Sequence, residues 1–306
     1  MYYRESLAER AFREARHPIA HLYTEPLEDT VLLGNDQECT VALNYTAIAA
    51  GESGCKLLAL ALMSNHFHFI LMEEAERVHL FWELLQGMMD GYLRRNGKIG
   101  VMKRIKASTT PISNLKQLRD EIAYVIRNSF VIRTDVHVFA DPWSSGHLYF
   151  NPLLKKEGVP ATELKGRGLR EFLHSRTLTV PDSGIYVKDG CAQMWSFVDY
   201  TFVESVFDNA RQFVHAVLKN VEAQVEISRR MGEKPFLSDE ELLPLVLRYC
   251  QEKMQAKGPG SLPEEEKKKL ALWIRREFQS SNKQLARLSG LRLQEVNKLF
   301  PLSAKT

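Results

Sequence analysis

Two histidines one residue apart, His66 and His68, head an apolar run in the stretch ALMSNHFHFILME (61–73). In a strand, positions i and i+2 share a face. Both imidazoles therefore point one way, while Phe67 and Phe69 point into a core on the other side. Two convergent imidazoles make half of a metal site, although a lone histidine in such a place is more often a core residue. The remaining groups must come from elsewhere in the chain. AYVIRNS (123–129) sets Tyr124 and Asn128 at i and i+4, hence on one helical face. GYLRRN (91–96) repeats that spacing with Tyr92 and Asn96. An amide oxygen is a hard, neutral ligand, so two His and one Asn leave coordination positions open. Such a set suits Mg²⁺ or Mn²⁺ serving a phosphate better than a closed structural zinc site.

The elements that must hold these groups can be read from apolar periodicity and punctuation. A short strand is expected over 18–26, and a helix over 35–50 behind an Asn35 or Asp36 cap, broken by GESG (51–54). CKLLALALM and HFHFILM read as buried neighbouring strands joined through Ser64-Asn65. Helices follow over 76–95, ended at Asn96-Gly97, and over 112–130, with Leu115, Leu118, Ile122, Val125 and Ile126 on the apolar side. Between them KIGVMKRIKAS (98–108) is a basic strand candidate. After an N-terminal extension (1–18), the order over 19–150 predicts an α+β unit. Its form is a ferredoxin-like antiparallel sheet with helices on one face.

Residues 151–235 read as a loop-rich segment with a KDG turn (188–190), followed by one long helix over 199–230. Val203, Phe207, Ala210, Val214, Val217 and Val221 make the apolar stripe of that helix. Residues 236–306 read as an all-α domain opened by a Ser238/Glu241 capping box. Its last segment, NKQLARLSGLRLQEVNKLF (282–300), fits a helix-turn-helix behind the support helix EEEKKKLALWIRREF. Ala286 is small at the helix crossing, Gly290 supplies a left-handed turn, and Val296 packs inward. Leu285, Leu288, Leu291, Leu293 and Leu299 complete the small core. Arg292, Gln294, Glu295, Asn297 and Lys298 would then ride on the outer face, where duplex DNA is read. A helical hairpin that only packs or dimerises has the same pattern.

A chain of 306 residues is long for one core and points to two or three domains. The net charge of +3 only permits nucleic acid, so local charge must decide. From Gly91 to Lys106 there are six basic residues (Arg94, Arg95, Lys98, Lys103, Arg104, Lys106) and no acid, either a phosphate-tracking strip or a solvated face. Trp143 is a stacking platform for a splayed base or a plug at the sheet edge. His147 sits in the same loop, and His21, able to approach the pair across the sheet, reads as structural. Cys39, Cys55, Cys191 and Cys250 lie far apart without metal-ligand spacing, as expected of free thiols in a reducing compartment. The charged N-terminus and the lack of a long apolar run predict a cytoplasmic protein with no membrane partner.

In order and spacing these segments resemble a known family. LMSNHFHFILM resembles the His-hydrophobe-His (HUH) motif of the single-tyrosine transposases. YVIRNSF followed by DPWSS resembles the Tyr-Ile-x-x-Asn-Pro and Pro-Trp-Ser-Ser pattern of their REP-associated branch, with Ser129 where the first proline is usual. YLRRNGKIGVMKRIK is similar to the segment between the two motifs, and the resemblance spans roughly residues 19–150. It implies Tyr124 as nucleophile rather than Tyr92. It implies His66, His68 and Asn128 as ligands of Mg²⁺ or Mn²⁺, and single-stranded DNA cleaved beside a hairpin through a 5′-phosphotyrosine. The expected function is therefore a metal-dependent DNA-nicking and strand-transfer enzyme, monomeric or homodimeric. The alternatives are a catalytically silent binder of hairpin or duplex DNA and a phosphodiesterase using activated water.

Overall fold

The structure, a computed structural model, describes residues 5–27, 30–128, 139–219 and 221–301. The chain forms two compact units, Met1–Asn220 and Val221–Thr306. In the first, a helix α1 (Leu7–Arg13) precedes β1 (Ile19–Thr24), α2 (Asp36–Ser53), β2 (Lys56–Leu62), β3 (Phe67–Met72), α3 (Ala75–Arg95), α4 (Val101–Arg104), β4 (Ala107–Ile112) and α5 (Leu115–Arg127). The four strands make an antiparallel sheet in the order β2-β3-β1-β4, so the unit is α+β. The apolar runs of β2 and β3 are buried on both faces, as strands lacking polar alternation must be. Ser64-Asn65 closes their hairpin through Met63 N–H to the His66 carbonyl at 3.0 Å.

The expectation that helices cover one face of the sheet is not met. Phe69 meets Phe81 of α3 at 5.2 Å between ring centroids, whereas His68, its neighbour of opposite facing, meets Tyr124 of α5 at 5.6 Å. Helices α3 and α5 therefore cover opposite faces. The physical reason is the sheet itself: apolar on both sides, it needs cover on both. Helix α5 is consequently buried over its whole C-terminal half, residues 121–127, because α8 (Ala210–Lys219) packs behind it. The Arg127 guanidinium donates to the Val217 carbonyl there at 3.2 Å.

Three further boundaries differ from expectation. Helix α2 runs through Gly51 to Ser53 and stops only at Gly54, whose φ of +73° is left-handed. The basic stretch 98–108 is not a strand. It turns into the short α4, and the strand starts later, where Thr109 and Thr110 favour extended backbone and edge position tolerates Pro111. The long helix expected over 199–230 is broken between α7 (Tyr200–Ser205) and α8; α9 is Val221–Met231, and residue 220 lies outside the described residues. Asn209 accepts from the Gln212 N–H, a start signal that competes with continuation, and Val214, on the expected stripe, is exposed.

Residues 151–199 join the first unit. A small sheet of β5 (Val159–Pro160), β6 (Tyr186–Lys188) and β7 (Cys191–Ala192) turns at Asp189-Gly190, and α6 (Gly166–Leu173) lies beside it. Asn44 of α2 pins both, donating to the Phe172 and Gly190 carbonyls and accepting from the Ala192 N–H. The second unit also holds α10 (Asp239–Met254), α11 (Glu264–Glu277), α12 (Asn282–Ser289) and α13 (Leu293–Leu299) around its own apolar core. The Ser238/Glu241 capping box is formed. Among the described residues no helix is long and apolar enough to cross a membrane, and none of the four cysteines is in a disulfide.

Candidate functional site

The two histidines are brought together at the start of β3, their rings 4.9 Å apart and nearly perpendicular. Thr24 Oγ1, at the end of β1, accepts the Phe67 N–H at 2.9 Å and fixes the strand entry between them. Asn65 then orients His66. Its Nδ2 donates to the Leu27 carbonyl at 3.1 Å, which turns its Oδ1 to His66 Nδ1 at 2.8 Å. An amide oxygen only accepts, so the network assigns the proton to Nδ1 and leaves a lone pair on Nε2. That Nε2 is buried and makes no hydrogen bond among the described residues. Burial also pushes the His66 pKa down to about 4. His68 is pushed well below the ordinary range, by burial first and then by His66 and His21. Both rings are thus neutral at physiological pH, the form in which imidazole binds a metal.

Helix α5 presents Tyr124 to this pair. Its ring stands edge-on to His68 at 5.6 Å and to His21 at 6.3 Å. Helical pitch places Asn128 one turn further on, buried, with its amide Nδ2 donating to the Tyr124 carbonyl at 3.3 Å. That bond occupies the nitrogen and leaves the amide oxygen for another partner. Ser129 lies outside the described residues.

One site residue is legible only in the structure. Glu121, fully buried, holds His21 Nδ1 at 2.8 Å, and His21 Nε2 lies 3.1 Å from His68 Nδ1. His21 does approach the pair across the sheet, and it does so as a bridge with both ring nitrogens engaged. The sequence held one signal. Glu121 is an acid on the apolar stripe of its helix, between Leu118 and Val125, three residues before Tyr124.

The other tyrosine of this spacing is placed differently. Tyr92 is buried on α3 between Tyr45 and His174, with ring centroids at 6.5 and 5.9 Å. Burial, then Glu38, pushes its pKa up. Trp143 lies at the β2 edge, its carbonyl accepting the Leu62 N–H at 3.0 Å. The bridge Ala61–Ser144, the Leu60 N–H to Ser145 Oγ bond and the Tyr149 hydroxyl on the Leu58 carbonyl continue that seal. DPWSSGHLY therefore closes the sheet edge, which removes unpaired strand groups from solvent. His147 Nδ1 is bound to the Ser144 carbonyl at 2.9 Å.

Of the basic strip, Arg94, Arg95, Lys103, Arg104 and Lys106 are exposed. Lys98 is half-buried and bound to Glu38 at 2.7 Å and to the Leu32 carbonyl, so it belongs to the fold. In the second unit α12 and α13 are joined by a short turn, with Gly290 left-handed (φ +73°) and Val296 buried. Arg292, Gln294, Asn297 and Lys298 are exposed. Asn297 Oδ1 accepts from Asn282 at 2.9 Å, tying the two helices, and the Arg292 N–H donates to the Glu295 carboxylate at 2.8 Å at the start of α13. Leu293, expected in the core, is 40% exposed, since helix α13 turns its first residue outward.

Comparison of the chain with protein-family models, curated proteins and solved structures gives no match.

Proposed function

We propose that the first unit is a single-tyrosine DNA-nicking and strand-transfer enzyme acting on single-stranded DNA beside hairpins. The observation that carries this reading is Tyr124 standing edge-on to His68, on the sheet face shared by two neutral imidazoles. The strand order β2-β3-β1-β4 supports a ferredoxin-like core of the single-tyrosine transposase type. The donor set fits a divalent ion: His66 offers a buried, unbonded Nε2, His68 a second imidazole, and Asn128 an amide oxygen. When bound there, Mg²⁺ or Mn²⁺ polarises a scissile phosphate and offsets its developing charge.

The residues of the chain do the rest. A tyrosine with an ordinary pKa near 10 is a weak nucleophile, and position compensates. The Tyr124 oxygen forms a bond to phosphorus as the bond from phosphorus to O3′ breaks, its phenolic proton passing to solvent. A 5′-phosphotyrosine and a free 3′-OH result. Because the phosphodiester is retained, another 3′-OH reverses the step and joins a strand, which attack by water would not allow. The exposed cations from Arg94 to Lys106 supply a strip for the DNA backbone.

Incubating the protein with labelled hairpin DNA and Mn²⁺ should yield a covalent adduct on a denaturing gel, with phosphotyrosine at Tyr124 by mass spectrometry. An adduct persisting in Tyr124→Phe would sink the assignment. A second reading, a non-catalytic regulator, is favoured by the exposed outer face of α13, which suits duplex DNA through Gln294 and Lys298. It predicts tight hairpin or duplex binding with no nicking in Mg²⁺ or Mn²⁺.

A further inference from the structure

Helix α10 carries two apolar stripes, and the core of the second unit uses one of them. Leu242, Val246 and Cys250 recur every fourth residue and are buried in that core. Leu245 and Tyr249 make a neighbouring stripe, which lines a cavity of about 500 Å³ between α9, α10 and α11. That volume lies within the range of ligand pockets. Val225 of α9 and Phe278, at the end of α11, are the buried parts of its wall. Tyr249 stacks on Trp273 in the same wall, ring centroids 3.9 Å apart and 11° from parallel, and Trp273 meets Phe278 edge-on at 5.6 Å. Both rings of the stack line the cavity and stay half-buried, so a further planar group can join them without displacing either.

Charge stands at the solvent side of this aromatic floor. Arg229, Arg248 and Lys253 line the cavity and are exposed, with Glu226 and Glu252 among them. Arg229 lies 3.7 Å from Glu277, whereas Arg248 and Lys253 make no ion pair among the described residues. A small free anion is held best by buried donors, and here every cation is at the rim. Exposed cations beside a stacking floor suit a strand whose base enters while its backbone stays outside. The two carboxylates, which repel a bare phosphate, can accept from the amino group of a base. We propose that this cavity of the second unit is a subsite for single-stranded DNA. One base stacks on the Tyr249–Trp273 pair, and Arg248 and Lys253 hold the flanking phosphates. The subsite is independent of the chemistry assigned to Tyr124 and adds a strand contact outside the first unit.

The test is photo-cross-linking of the whole protein to a short oligo(dC) carrying 5-iodocytosine, a strand too uniform to form a hairpin, followed by peptide mapping. A cross-link at Tyr249 or Trp273 is expected, and cross-links confined to the first unit would overturn the proposal. With affinity read from the yield at Trp273, Tyr249→Ala should weaken oligo(dC) roughly 5- to 100-fold, the usual effect of losing one stacked base. Arg248→Ala combined with Lys253→Ala should lower the slope of log affinity against log salt by roughly 1.4, as two phosphate contacts on a single strand do. Both of these residues are exposed, so the double variant keeps the test decisive should Tyr249→Ala fail to fold. An unchanged slope in it overturns the proposal. Free deoxycytidine monophosphate competing as tightly as the oligonucleotide would assign the cavity to a free nucleotide and overturn it too. Failure of the nicking reading is distinct: it shows as absence of a Tyr124 adduct on hairpin DNA and leaves the cross-link in the second unit in place.

Discussion

Tyr92-Asn96 and Tyr124-Asn128 are the same motif on two helices, and the fold places them on opposite faces of one sheet. Locally they are alike. Each asparagine donates its amide to the carbonyl of its tyrosine, at 2.9 Å and 3.3 Å respectively. What differs is the surroundings. Tyr92 packs among Tyr45 and His174 on the side of α2 and α3, whereas Tyr124 faces the histidines of β1 and β3. Helical spacing sets which side chains share a face; only the sheet's two-residue alternation decides which face holds imidazoles.

The sharpest way to break this contrast is exchange of each tyrosine. Tyr124→Phe should reduce adduct formation on hairpin DNA roughly 10³-fold or more, as loss of a nucleophile does, with hairpin affinity unchanged in a mobility-shift assay. Tyr92→Phe should leave adduct formation within twofold. Equal losses in the two variants would show that the faces are not functionally distinct. Truncation reverses the order of damage: Tyr92→Ala should cost about 3–5 kcal/mol in urea denaturation, the usual price of emptying a buried aromatic site.

How far the sequence led follows the same division. The alternation of strands and helices along the first unit, the hairpin at Ser64-Asn65, the cap at Asn35 and the left-handed turn at Gly290 were legible, because each depends on residues close in the chain. The covering of both sheet faces was not, since Leu118, Ile122 and Val125 say that α5 is amphipathic but not which face receives it. The break at Asn209 was hidden by a stripe continuing across it. Glu121 was missed for a related reason: a buried acid looks like an error in a periodic pattern until its partner, His21, a hundred residues away, is placed beside it.

Acidity provides the next test of the two faces. The pKa of His66 is about 4 in the folded protein against an ordinary value near 6.5, so the unfolded chain binds the proton first. Stability is therefore complete above pH 6.5 and falls as pH drops toward 4. The loss between pH 7 and pH 5 should be about 2 kcal/mol from this residue. His66→Gln should flatten that part of the stability profile measured by urea denaturation. On the other face His174 is also lowered, by burial and then by Arg95, but it is half-buried and its replacement should flatten the profile less. A larger effect at His174 would reverse the assignment of the buried imidazole face as the pH-sensitive one.

The smallest effect separates two lysines near Asn96. Lys98 is held by Glu38, whereas Lys103, five residues on, is exposed. A cation already paired within the fold has little charge to give a phosphate, and an exposed one releases a counterion when it binds. Lys103→Ala should therefore weaken hairpin DNA a few-fold and lower the slope of log affinity against log salt by roughly 1. Lys98→Ala should leave that slope unchanged and instead destabilise the fold by roughly 1 kcal/mol or more, because the buried Glu38 carboxylate loses its cation and, among the described residues, keeps only the Gly34 N–H. Identical salt slopes for the two variants would mean that the strip between the two tyrosine helices is a solvated face and that DNA is held elsewhere.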